Sequence, residues 1–300
     1  MKGMPKKPSK TGLYLAILAS VFIGSSTIVA AQGTKQIPPV LFAALAFIAS
    51  AVFLFILSLI LKERLDFSRL FGKQTNGTLQ TIWSRTVIAN ILLYTGFSMT
   101  SAVKAVFLMG LEPAFVAILG FIILKERLSL KQAGLIFLLF LGAFLLSTNA
   151  DIASFKNAQL GDILIAGAMI FTAYSYFPSK KVLEKANPLT LTLFSNVVGG
   201  ILLLLLGILL FNIAPVSLSL NAENLSLVII SSLLFSALGL FCFFTALKTT
   251  RPWVVSSLLQ IAPVPGAIIA FLWLNDILAP AQLLGAAILL AGSFLIAREH

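Results

Sequence analysis

Charge is scarce in this 300-residue chain. Asp, Glu, Lys and Arg make up 10% of it and hydrophobic residues 59%, whereas soluble domains carry roughly 25% charge. A water-soluble fold could not cover so much apolar surface, so lipid is expected to solvate most of the chain. Histidine is almost missing: His300, the last residue, stands alone. That removes imidazole catalysis and most His-ligated metal sites, and neither a metal site nor a cofactor is expected. Cys242 is the one cysteine and lies in an apolar run, so no disulfide can form within the chain. Acids number 10 against 21 Lys and Arg, a net charge of +11. The basic residues sit in short loops between apolar runs and not on one soluble face, so a nucleic-acid partner is not expected. Long linkers, low-complexity tracts and soluble domains are absent too.

What remains is apolar runs. A bilayer core needs about 20 apolar residues per helix. Ten candidates fall at 12–32, 38–61, 79–99, 101–124, 130–148, 160–182, 189–212, 225–247, 252–274 and 280–297. Prolines open several of them, at Pro38, Pro39, Pro188, Pro252 and Pro280. A first-turn proline forfeits no helical hydrogen bond. The Lys-rich start, Lys2 to Lys10, imitates a signal peptide, but the apolar stretch behind it is too long for one and reads as a first membrane helix.

The loops give a direction. With the N-terminus in the cytoplasm, seventeen Lys and Arg fall inside, from Lys2 to Arg298, and two outside, Lys35 and Lys156. That asymmetry favours both termini inside, in an inner membrane. Trp83 and Trp253 fall near the inner interface and Trp273 near the outer one.

The chain also repeats weakly at half its length. At an offset of 150, Leu108 meets Leu258, Pro113 meets Pro263, Phe121 meets Phe271 and Gly142 meets Gly292. At 149, Gly12 meets Gly161, Ser26 meets Ser175 and Pro39 meets Pro188. Five spans per half is an odd number, so the second half enters the membrane from the opposite side. The expected fold is an all-α polytopic membrane protein. Its ten transmembrane helices form two inverted five-helix repeats, 1–155 and 156–300, in one integral membrane domain. Helices broken at corresponding places in two halves point to a transporter binding site. Here the breaks are Pro113 and Pro263, with Pro265 close behind.

Polar groups at the midplane then nominate a site. A charge there costs about 2.5 kcal/mol or more, so it tends to face the bundle interior. Glu112, just before Pro113, is the clearly central acid. Asn90, Gln260, Ser25, Tyr174 and Ser175 share its depth, with Ser26, Thr27, Thr172, Tyr176 and Ser236. Asn90 and Gln260 fit interhelical hydrogen bonding as well as substrate contact. Lys104 and Arg85 read as interface anchors reaching outward, with Lys104 kept among the substrate-binding candidates. Of Tyr174 and Tyr176, on different faces, Tyr174 is taken as the candidate. Pro113, Pro263 and Pro265 should free the carbonyls of Met109, Leu259 and Ile261. Gly142, Gly199 and Gly200 read as close helix packing.

Several short motifs resemble those of the EamA-type members of the drug/metabolite transporter superfamily. The first helix holds Phe22-Ile23-Gly24-Ser25-Ser26, and Pro38-Pro39 opens the second. The fourth carries Leu111-Glu112-Pro113, then Lys125-Glu126-Arg127-Leu128. The second half answers with Ile261-Ala262-Pro263 and Asn275-Asp276-Ile277-Leu278, and closes on the Gly-rich stretch Gln282 to Gly292. The Arg that many members carry in helix two is not found at Ala44-Leu45-Ala46-Phe47. The resemblance implies a secondary transporter of a small metabolite, an amino acid or similar, exported or exchanged by alternating access around a central cavity. A flippase for a lipid-linked small molecule and a multidrug or amine exporter are the alternatives. Expected partners are the bilayer, a small-molecule substrate and protons as coupling ion; monomer and homodimer both stay open. An enzyme would need a catalytic constellation at one depth, and none is found.

Overall fold

The computed structural model describes residues 9–100, 105, 108–125, 129–148, 160–213, 221–274 and 279–298. Lys104, Glu126 to Leu128, Lys156, Asn275 to Leu278 and His300 lie outside these. All regular structure among the described residues is helical. The rods are α1 (Lys10–Gly33), α2 (Pro39–Ile60), α3 (75–99), α4 (Glu112–Leu124) and α5 (Leu130–Thr148). The second half adds α6 (Leu160–Leu183), α7 (Pro188–Ile213), α8 (Ala222–Thr249), α9a (Pro252–Leu259), α9b (Pro263–Leu274) and α10 (Pro280–Arg298).

Among the described residues six helices are long and apolar enough to cross a membrane: α1, α2, α6, α7, α8 and the α9 pair taken together. Three shorter apolar helices lie at Glu112–Leu124, Leu130–Leu146 and Pro280–Ile296. Large apolar side chains stay exposed along them, among them Leu59, Ile60, Leu205, Phe121, Ile122 and Leu272. Water would penalise such a belt and hydrocarbon does not.

The main helix packings recur when the first five rods are exchanged with the last five. α1 packs on α8, and α6 on α3. α1 packs on α9a and α9b, and α6 on α4. α2 packs on α8, and α7 on α3. The two self-exchanging pairs, α2 with α7 and α5 with α10, are also in contact. Glycines set the direction of these pairs. Gly200 lies against Phe47 and Ile48, and Gly207 against Leu41, so α2 and α7 run antiparallel. Gly285 lies against Gly142 and Leu146, and Gly292 against Leu139, so α5 and α10 do the same. Gly142, Gly199 and Gly200 do serve close packing, because a Cβ on any of them would press on a neighbour.

Two features differ from the expectations. The first concerns the prolines. Pro113 and Pro263 do not kink helix interiors; each stands at the start of a helix, α4 and α9b, after a turn at 110–111 and 260–262. The missing N–H is therefore no loss. Two of the three carbonyls expected to be freed, those of Leu259 and Ile261, are bonded. Leu259 accepts from the Ala262 N–H at 2.9 Å and Ile261 from the Val264 N–H at 2.9 Å. The turn tightens into i→i+3 bonds and re-satisfies them.

The second is a pair of π-helical segments, Ile82–Ile88 in α3 and Ser232–Gly239 in α8. Their first residues are 150 apart, so the widened turn recurs at equivalent places. Each frees carbonyls, and an asparagine amide takes them. Asn90 Nδ2 donates to Arg85 O at 2.7 Å and Thr86 O at 3.1 Å. Asn196 Nδ2 donates to Ser236 O at 2.6 Å and to Ser50 Oγ at 2.7 Å.

Candidate functional site

The two helix breaks touch. Gln260 is buried, and its Nε2 donates to the carbonyl of Gly110 at 2.8 Å. Gly110 and Gln260 are equivalent positions of the two halves. α4 also packs on α9a, so the breaks form one locus in the bundle. On the other side of this locus α1 presses in. A Cβ at Gly24 would lie 1.9 Å from the Ala262 carbonyl oxygen, and one at Gly266 would lie 3.2 Å from Gly24 O. No side chain larger than hydrogen fits there without moving backbone, which accounts for the glycine in Phe22-Ile23-Gly24-Ser25-Ser26.

Glu112 stands in the first turn of α4, where the exposed N–H groups favour an acid. It is half-buried, and its Oε1 accepts a hydrogen bond from the Tyr176 hydroxyl of α6. Tyr176 is fully buried, and its ring packs edge-on against Phe243 of α8 with centroids 4.9 Å apart. Arg85 lies on the other side. Its guanidinium carbon is 3.8 Å from the Phe243 ring centroid and 5.7 Å from that of Tyr176. Its Nη1 donates to Ser175 Oγ at a long 3.4 Å, and Ser175 in turn donates to Thr172 O at 2.5 Å. Arg85 and Glu112 make no direct ion pair; Tyr176 links them.

Arg85 is thus no interface anchor. It is 6% exposed, and its backbone lies inside the π segment of α3. A buried cation without a charged partner is costly. Stacking on a desolvated aromatic face returns about 2 kcal/mol, so the two rings make the position tenable.

The remaining candidates fall in different places. Ser175 is in this cluster. Asn90 is turned to its own bulge, where it holds the carbonyl of Arg85. Tyr174 is half-buried on another face of α6, and it is Tyr176 that meets Glu112. Ser25 is half-buried beside Gly24, while Ser26 and Thr27 turn their hydroxyls back to Ile23 O. Pro265 sits in the first turn of α9b. Trp253 is buried, unlike Trp83 and Trp273, which are half-exposed. Among the described residues no group of His, Cys, Asp or Glu could hold a metal ion.

The site is one-sided. At the positions equivalent to Arg85 and Glu112 the second half carries Phe235 and Ala262. The opposite charges of Arg85 and Glu112 therefore have no counterpart at the equivalent positions of the second half.

Residues 10–148 and again 159–298 match the EamA-like transporter family. An uncharacterized transporter from Methanothermobacter thermautotrophicus is 26% identical over 296 residues, covering 94% of this chain and 85% of its own. The uncharacterized transporter YyaM of Bacillus subtilis is 29% identical over 210 residues, 68% of this chain and 67% of its own. A solved crystal structure shares the fold with a TM-score of 0.79 over 97% of this chain and 99% of its own, at 15% sequence identity.

Proposed function

The chain belongs to the EamA-like transporter family, with two copies of the family unit, and from that premise we propose that it is a secondary transporter of a small metabolite. The observation that carries the reading is the bond from Gln260 to Gly110. It joins the two helix breaks at the place where the halves meet, next to the one buried charged cluster that the site contains. Ten crossings, as two inverted five-helix units with both termini cytoplasmic, are part of this reading. The antiparallel α2–α7 and α5–α10 pairs and the Lys and Arg distribution support it.

In this mechanism the halves rock about the α4 and α9 breaks and expose the centre to one side at a time. Short broken helices suit the task, because a turn with i→i+3 bonds can change its dihedrals without orphaning carbonyls in lipid. Glu112 binds a cationic group of the substrate or exchanges a proton for it. Tyr176 carries that change across to Arg85 and α8. Export or exchange across an inner membrane is the physiological direction in this reading.

The test is counterflow in proteoliposomes holding the purified full chain, run against a panel of amino acids, nucleosides, amines and sugar acids. Saturable counterflow of one class, lost in Glu112→Gln, is the expected result. Counterflow of none, with the protein folded, contradicts the reading.

A further inference from the structure

Among the described residues Arg85 makes no ion pair. Its guanidinium plane is covered by Phe243 at 3.8 Å, and covering the plane leaves the in-plane N–H edges as the reactive part of the group. One edge reaches Ser175 at 3.4 Å, near the limit for a hydrogen bond. The Nε–H is buried and has no hydrogen-bond partner. Glu112 makes no direct ion pair with Arg85, and its Oε1 accepts from the Tyr176 hydroxyl. An unpaired buried cation is costly, and a guanidinium edge is shaped for a planar carboxylate accepting two parallel hydrogen bonds.

On the transporter reading above, we propose that Arg85 is the seat of the substrate's anionic group, and that the transported molecule is a small carboxylate. The arrangement narrows the anion. One guanidinium balances one negative charge, and Glu112 lies just beyond Tyr176, so a dianionic phosphate would meet both too little positive charge and a nearby acid. The Phe243 and Tyr176 rings flank the position with apolar surface, which suits a compact carboxylate with an uncharged or cationic remainder. A cationic remainder would fall toward Glu112. Asn90 is a positioning residue for this seat, since it ties the Arg85 carbonyl at 2.7 Å and so fixes the turn that aims the side chain.

The test uses thermal unfolding of the detergent-purified full chain with matched probes: the twenty amino acids and simple aliphatic and aromatic acids, each beside its primary amide. Acids of one size range should raise the unfolding temperature, and their amides should bind roughly thirtyfold more weakly or worse, the loss expected when one partner of a buried charged pair is removed. Arg85→Gln should abolish the difference between acid and amide. Arg85→Lys keeps the charge without the fork, and should restore part of it. Acids and amides binding equally to the unaltered protein, or no acid binding at all, would overturn the proposal. The acid–amide comparison needs no variant, so a misfolded Arg85→Gln does not decide it. Counterflow of neutral or purely cationic compounds, unaffected by Arg85→Lys, would overturn the anion seat and leave the transport reading standing.

Discussion

Gln260 and Gly110 occupy the same place in the two halves of the chain and are hydrogen-bonded to one another at 2.8 Å. An amide bonded across helices is worth about 0.6 kcal/mol on average in a membrane protein and about 1.7 at most. Gln260→Leu should therefore cost little stability. If the break is where the halves articulate, transport should fall at least tenfold all the same. Chemical denaturation and counterflow on the same preparation separate the two effects. Large instability with proportionate loss of transport would make the bond structural only.

Glu112 and Tyr176 should act together. Glu112→Gln and Tyr176→Phe are each expected to cut transport by more than tenfold, and the double variant should lose little beyond either single one. That non-additivity is the mark of a shared hydrogen bond. Transport by Glu112→Gln should also lose its pH dependence. Normal transport with an unchanged pH profile removes the coupling role.

Gly24 meets the Ala262 carbonyl closely enough that a Cβ would stand 1.9 Å from it. Gly24→Val should lower stability by about 1–3 kcal/mol or more, as overpacking does. Gly134 has no atom within 4 Å of an added Cβ, and Gly134→Ala should stay within about 1 kcal/mol of the parent, since helix propensity alone changes. Thermal unfolding of the two variants gives the comparison. Equal effects would mean that α1 does not pack on the α9 break as described.

Lys180 holds the end of α8. Its Nζ donates to the carbonyls of Leu247, Lys248 and Thr250 at 2.6, 3.0 and 2.9 Å. These are terminal carbonyls without helical partners. Lys180→Met would leave them buried and unpaired, and should destabilise the protein by at least about 2 kcal/mol. A substitution without effect on unfolding would assign those carbonyls to water.

Much of the fold was legible because lipid makes simple demands. Helices α1, α2, α6 and α7 match their apolar runs to within a few residues, and Pro39, Pro188, Pro252 and Pro280 stand at or next to helix starts. The half-length repeat anticipated which rods would be equivalent. The site was harder to read. Arg85 reads as shallow if α3 begins at 79; it begins at Thr75, which puts Arg85 a turn farther from the helix start. The π segments leave no compositional trace, because one extra residue in a turn alters no residue type. They also rotate the rest of the helix beyond them, so helical phase counted along the sequence drifts. On α6, Tyr174 and Tyr176 sit about 200° apart on the helical wheel, and sequence alone did not say which face meets Glu112. One signal was available: Arg85 and Glu112 are rare charges of opposite sign inside apolar runs of the same half, and such charges tend to find each other or a shared partner.

The central claim is that Glu112 stands in a locus opened alternately to the two sides. The most direct measurement places a single thiol there, Glu112→Cys in a Cys242→Ala background, and reacts it with a membrane-impermeant reagent in right-side-out and in inverted vesicles. The account predicts labelling from both sides, each slowed by bound substrate. Labelling from neither side, or from one side alone under every condition, would contradict it.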